Sequence, residues 1–278
     1  MRLITGAILT RVIIAAALVL PLAACSPRAA QDSDSGSHSE ENVKLTVFAA
    51  ASLRDVFDEL TEAFSVHNPN ITFAPSTFDG SSALLAQIAE GAPADIFAAA
   101  DARTMSNASD RGLLNNGSLP AGEALVFATN ILTLVVPPDN PGGVTSLADL
   151  SRDTVRTVLC APEVPCGSAS NTLLDRQGVV VSPVSQELSV TAVLTKVAMG
   201  EADAGLVYVT DARAAGDTVR QIEITGAESV VNEYPASVVA ASSHPEEAAE
   251  FIRFLESTEA SRIFESHGFG VPGVPETR

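Results

Sequence analysis

From Val43 onward, short apolar runs of strand character alternate with segments whose apolar residues recur at helical spacing. Alternation of this kind, with no repeat of 20–50 residues, predicts an α/β fold with mainly parallel strand pairing. "VKLTVFA" (43–49) is followed by Leu53, Val56, Phe57, Leu60 and Phe64 at steps of three and four, which predicts a helix over 52–67. "ITFAPS" (71–76) leads through "TFDGSS" to a helix around Ala83–Glu90, closed by Gly91. "ADIFAA" (94–99) precedes a helix from Asp101, and "VRTVLC" (155–160) leads through a loop to a helix over 168–176. A helix from Val190 to Gly200 feeds "GLVYVT" (205–210). "PASVVAA" (235–241) precedes two helices, with Pro245 suited to a first helical position.

Two stretches break the rhythm. Residues 125–135 and 230–238 are extended but have no helix between strand and neighbour, so they read as crossings between lobes. Lobe 1 would hold 43–124 and 232–278, and lobe 2 would hold 125–231. A chain of 278 residues, 46% hydrophobic, has material for two such lobes.

The first 24 residues read as a lipoprotein signal peptide. Arg2 and Arg11 carry positive charge, Val12 to Leu22 is apolar but short for a bilayer span, and "LAAC" ends at Cys25. Cys25 is the expected lipidated residue. Residues 25–42 form an acidic, disordered tether, and the 17 residues of "SPRAAQDSDSGSHSEEN" would span roughly 20–25 Å. The expected location is extracytoplasmic, on the outer face of the cell membrane.

Loss of residues 1–24, which carry two arginines and no acid, takes the formal charge from −18 to −20. That argues against nucleic acid as a partner, since nucleic acid needs a basic face. Export also places Cys160 and Cys166 of "CAPEVPCG" where disulfides persist, so a bridge between them is expected, with a strand ending at one cysteine and a turn holding the other.

Residues with hydrogen-bonding capacity gather at the strand–helix junctions. Ser52 is a natural N-cap with Asp55 three residues on. Ser81 and Ser82 follow Gly80, Cys166 and Gly167 stand at another junction, Val190 opens a helix, and Tyr208 ends an apolar strand with its ring partly buried and its hydroxyl available. In open α/β sheets, ligands bind beyond the carboxyl ends of strands. Helix N-termini there present unpaired N–H groups and the positive end of the helix dipole. Several such ends in one cleft would hold a small oxyanion without an arginine. An enzyme is not expected: no G-x-S-x-G, H-E-x-x-H or C-x-x-C occurs, and the four histidines lie away from the junctions. No His, Asp and Glu cluster suggests a metal cation. Asp79, beside the cleft, keeps a proton-bearing ligand such as phosphate open.

The pieces "VFAAASL", "GSSALLAQIAEGAPADIFAAAD", "PEVPCGSAS", "GEADAGLVYVTDA" and "EYPASVVA", in this order, resemble the molybdate-binding proteins of ABC importers. The resemblance runs from about Val43 to Phe269. It implies the two-lobed periplasmic binding protein fold of the second type, with the ligand cleft between lobes. It also implies capture of molybdate or tungstate, delivery to an ABC permease, a monomer, and no cofactor. Carried over residue by residue, it assigns molybdate binding to the hydroxyls of Ser52, Ser81 and Tyr208 and to the backbone amides of Cys166 and Val190. Ser82 stays open as the alternative to Ser81, and sulfate or phosphate as the alternative ligand.

Overall fold

The computed structural model describes residues 42–115, 117–119 and 124–272. The signal segment, Cys25 and the tether up to residue 41 lie outside the described residues.

Strands β1 (Val43–Leu45) and β3 (Ile71–Phe73) pair in parallel as a small sheet. The large sheet contains β2 (Val47–Ala50), β4 (Thr77–Asp79), β5 (Ile96–Ala98), β6 (Leu125–Val136), β7 (Thr157–Cys160), β8 (Ser185–Glu187), β9 (Ala204–Tyr208), β10 (Arg220–Ile222) and β11 (Val231–Val238). Its order is β4-β2-β5-β11-β6-β9-β7-β8, with β10 also against β6. Pairing is parallel within β4-β2-β5 and within β9-β7-β8. It is antiparallel wherever β6 or β11 takes part. The expectation of mainly parallel pairing therefore holds on the two flanks and is corrected at the centre. The two extended stretches read as crossings run there side by side. Their register slips between Tyr234 and Pro235, where the proline has no N–H to give the ladder.

The helices are α1 (Arg54–His67), α2 (Ser81–Ala89), α3 (Ala102–Asp110), α4 (Pro165–Gln177), α5 (Val190–Ala198), α6 (Val209–Ala215), α7 (Pro245–Phe254) and α8 (Thr258–Ser266). In α1 the apolar positions Val56, Phe57, Leu60 and Phe64 form one buried face. Phe251 of α7 meets Phe57 and Phe64 edge-on, with ring centroids 6.1 and 5.2 Å apart. Pro165 and Pro245 occupy first-turn positions, where a missing N–H costs nothing. Because Pro165 starts α4 three residues earlier than the sequence predicts, Cys166 lies in the helix's first turn instead of in a turn before it. Likewise "TFD" is a strand where a loop was expected, and α2 begins at Ser81.

Candidate functional site

Each parallel strand on the two flanks ends at a junction, and these junctions meet. One small cavity, about 20 Å³ for the centre of a water-sized sphere, is lined from six of them. Ala50, Ala51 and Ser52 come from the end of β2, Asp79, Gly80 and Ser81 from β4, and Ala100 from the segment after β5. Val164, Pro165 and Cys166 come from the β7–α4 junction, Leu188, Ser189 and Val190 from β8–α5, and Tyr208 from β9. All five residues singled out as ligands in the sequence lie on this one surface. The volume exceeds what one water needs and suits a small, compact solute.

The hydroxyls are held from behind. Ser81 is buried, and its Oγ accepts the Ala100 N–H at 3.0 Å. Ser82 is turned elsewhere: its Oγ donates to the Glu163 carbonyl at 2.9 Å, and it does not line the cavity. Tyr208 is fully buried, not partly as its sequence context suggested, and its Oη accepts Asn232 Nδ2 at 3.0 Å. Ser52 does not cap α1. It lies within a single 3-10 turn ahead of that helix, and its Oγ stands 3.0 Å from Tyr234 Oη. The expected cap is thus overturned: a tyrosine 182 positions away holds the hydroxyl instead.

Backbone donors surround them. Cys166 and Val190 fall in the first turns of α4 and α5, and Ser81 opens α2, so their N–H groups have no partner within their own helices. Ser189 caps α5 through its Oγ, which accepts the Ala192 N–H at 3.3 Å. Cys160 and Cys166 are joined by a disulfide that closes the β7–α4 turn. Gly167 packs so closely there that a Cβ would stand 1.9 Å from the Ala161 carbonyl oxygen. Across the cavity, a Cβ on Gly80 would stand 2.0 Å from the Leu188 carbonyl oxygen.

The lining contains no Lys, Arg or His. Its one carboxylate, Asp79, accepts the Gly80 N–H through Oδ1 at 2.7 Å. Burial raises the Tyr208 hydroxyl pKa well above the usual tyrosine value, and burial does the same to Tyr234. Both stay protonated, so both remain able to donate. Such a set offers neutral donors fixed in place, chemistry that can satisfy an anion's oxygens without a counter-charge.

A wider cavity of about 420 Å³ shares Ser52 and is lined also by Asp55, Thr210, Asp211 and Arg213. Asp211 Oδ2 accepts the Tyr208 backbone N–H at 3.0 Å. Burial, with a smaller push from the Asp55 charge, raises the Asp211 pKa to about 7. Sequence reasoning missed Tyr234, Asn232, Asn130 and Thr210, which support the site without lining the small cavity. Their signal was a pair of asparagines and a tyrosine inside apolar strand runs, polar groups that require partners once buried.

The model of the family described as bacterial extracellular solute-binding protein matches residues 45–270. The chain belongs to that family. Among its relatives is the molybdate-binding protein ModA of Mycobacterium tuberculosis (strain ATCC 25618 / H37Rv), 40% identical over 94% of this chain and 97% of that protein. A putative ABC transporter substrate-binding lipoprotein, YvgL of Bacillus subtilis (strain 168), is 32% identical over 90% of this chain and 93% of its own length. In structure, the periplasmic molybdate-binding protein of Azotobacter vinelandii superposes with a TM-score of 0.68, covering 82% of this solute-binding protein and 99% of that chain, at 19% identity. The fold is therefore the α/β periplasmic binding protein fold expected from the sequence.

Proposed function

We propose that this solute-binding protein captures molybdate, and tungstate with it, outside the cytoplasm and delivers it to an ABC import permease. The observation that carries the reading is the meeting of Ser52, Ser81, Cys166, Val190 and Tyr208 on one small cavity free of basic side chains. Three hydroxyls and the amides of Cys166 and Val190 then hold the oxyanion, and no group in the set performs catalysis. The name of the 40% identical relative, a molybdate-binding protein, supports the same ligand, and that of the substrate-binding lipoprotein supports the transporter and the lipid anchor. The two lobes, 43–124 with 232–278 and 125–231, close on the anion about β6 and β11. A lipid on Cys25 and the tether of residues 25–42 keep this monomeric body at the membrane; release of a Cys25→Ser variant into the soluble fraction tests the anchor.

Calorimetry of the soluble body with molybdate, tungstate, sulfate and phosphate tests the ligand. Tight binding of the first two and weak binding of the others is expected. Equal affinity for sulfate would mean that the cavity does not single out molybdate. One observation favours a second reading, hydrogen phosphate: the Asp79 carboxylate on the lining offers an acceptor for a ligand's proton.

A further inference from the structure

Three of the hydroxyls on the small cavity, those of Ser52, Ser81 and Tyr208, are the assigned ligands, and a hydroxyl can either donate or accept. For a fully deprotonated oxyanion, only the donating orientation is useful. What turns each proton toward the cavity is legible in the hydrogen bonds behind it.

At Ser81 the backbone does it: the Ala100 N–H occupies the oxygen from outside, and the hydroxyl proton is left for the cavity. At Tyr208 a side chain does it. Asn232 Nδ2 lies 2.9 Å from the Ala100 carbonyl, which can only accept, so the amide's nitrogen must face that way. The same nitrogen reaches Tyr208 Oη at 3.0 Å, making the tyrosine oxygen the acceptor and releasing its proton. This orientation leaves Asn232 Oδ1 buried without a partner among the described residues. An orphaned buried acceptor is a standing cost, tolerated here for the direction of the amide. At Ser52 the partner is Tyr234, and the geometry of the pair allows either hydroxyl to donate. Asn130 Oδ1 accepts the Ile131 N–H at 3.0 Å, which turns its nitrogen to Thr210 Oγ1 at 2.8 Å and, at a longer 3.5 Å, to Tyr234 Oη. With Asn130 approaching one lone pair of Tyr234 Oη, the arrangement that uses the tyrosine's proton sends it to Ser52 Oγ, 3.0 Å away, and leaves the serine's own proton free.

We infer that Asn232 and Tyr234 are positioning residues that set the donating direction of Tyr208 and Ser52, and with it the cavity's affinity for a deprotonated oxyanion. The inference rests on the molybdate reading above and assigns roles to residues that do not touch the ligand. Burial keeps the Tyr234 hydroxyl protonated, as a fixed donor must be. Thr210 and Asn130 complete the support from α6 and β6.

Two double-mutant cycles test it, read as molybdate dissociation constants, with melting without ligand as the check on folding. Tyr234→Phe removes one oxygen at constant shape and is expected to weaken molybdate about tenfold, the scale of one charge-assisted hydrogen bond. In a Ser52→Ala background the same change is expected to cost less than about twofold, because its target hydroxyl is gone. Asn232→Ala is expected to behave alike with Tyr208→Phe, and the tyrosine–serine pair carries the test alone if the asparagine variant does not fold. Additive losses in either cycle would mean general structural damage and would overturn the inference, as would unchanged molybdate affinity in Tyr234→Phe. Additive losses in protein that binds molybdate defeat this inference only. A wild-type protein that takes up no molybdate defeats it together with the reading it rests on.

Discussion

Ser52 joins two demands in one side chain: it lines the cavity and bonds Tyr234. Because it caps no helix, Ser52→Asp does not gain the usual merit of aspartate at an N-cap. The variant keeps an acceptor for the Tyr234 hydroxyl, so the fold is expected to survive. Its carboxylate would face an incoming dianion with no proton to give, so molybdate binding measured by calorimetry should collapse. Near-normal affinity in folded Ser52→Asp would show that the serine hydroxyl does not contact the ligand. Asp211 makes a different prediction, about pH. Its carboxyl titrates near 3.8 when unfolded and at about 7 in the folded protein. Between those values the folded state holds a proton that the unfolded state has lost, so stability falls as pH rises from about 4 to about 7. The loss amounts to a few kcal/mol at most. Asp211→Asn keeps an acceptor for the Tyr208 N–H but does not titrate. Urea unfolding across this range should therefore give a flatter pH profile for the variant and greater stability than wild type at pH 8. A variant profile as steep as wild type would assign the pH dependence to other groups.

At the scale of elements, the junctions set geometry through small residues. Gly80 has ordinary helix-entry dihedrals, so an alanine there is not strained in its backbone; only the Leu188 carbonyl obstructs it. Gly80→Ala is therefore expected to fold but to hold the β4–α2 and β8–α5 junctions apart. Molybdate affinity should fall at least tenfold, and melting without ligand should drop as well, because a backbone carbonyl must shift to admit the methyl group. Wild-type affinity would show that the junctions need not approach this closely. Much of this architecture was legible in the sequence. The spacing of Val56, Phe57, Leu60 and Phe64 marked α1, and a serine or glycine after some of the apolar runs, as at Ser52 and Gly80, marked those strand ends. What was not legible depends on distant partners. No local pattern near Ser52 announces Tyr234, and the Ser52 cap inferred from Asp55 failed because tertiary contact with that tyrosine won. Strands of three residues such as β8 and β10 carry too little periodicity to separate from loop. The choice between Ser81 and Ser82 also needed the fold, because only the bond of Ser82 to Glu163 turns that hydroxyl away.

In the whole molecule, two antiparallel strands form the centre of a sheet whose flanks are parallel, and the cavity collects the strand ends of both flanks. The lining has no cation, and the chain around it carries a formal charge of −18. Helix ends and hydroxyls act only over the last few ångströms, whereas the net charge acts at long range. A divalent anion therefore approaches against a repulsive field, the reverse of electrostatic steering. Salt shortens that field from about 30 Å at 0.01 M to about 8 Å at 0.15 M. Stopped-flow measurement should accordingly find molybdate capture accelerating as salt is raised through that interval; capture that slows would mean the helix ends project a positive field beyond the cavity mouth. Capture speed would then be set by the saltiness of the surroundings as well as by the cavity, with the body least able to gather its solute in the most dilute medium.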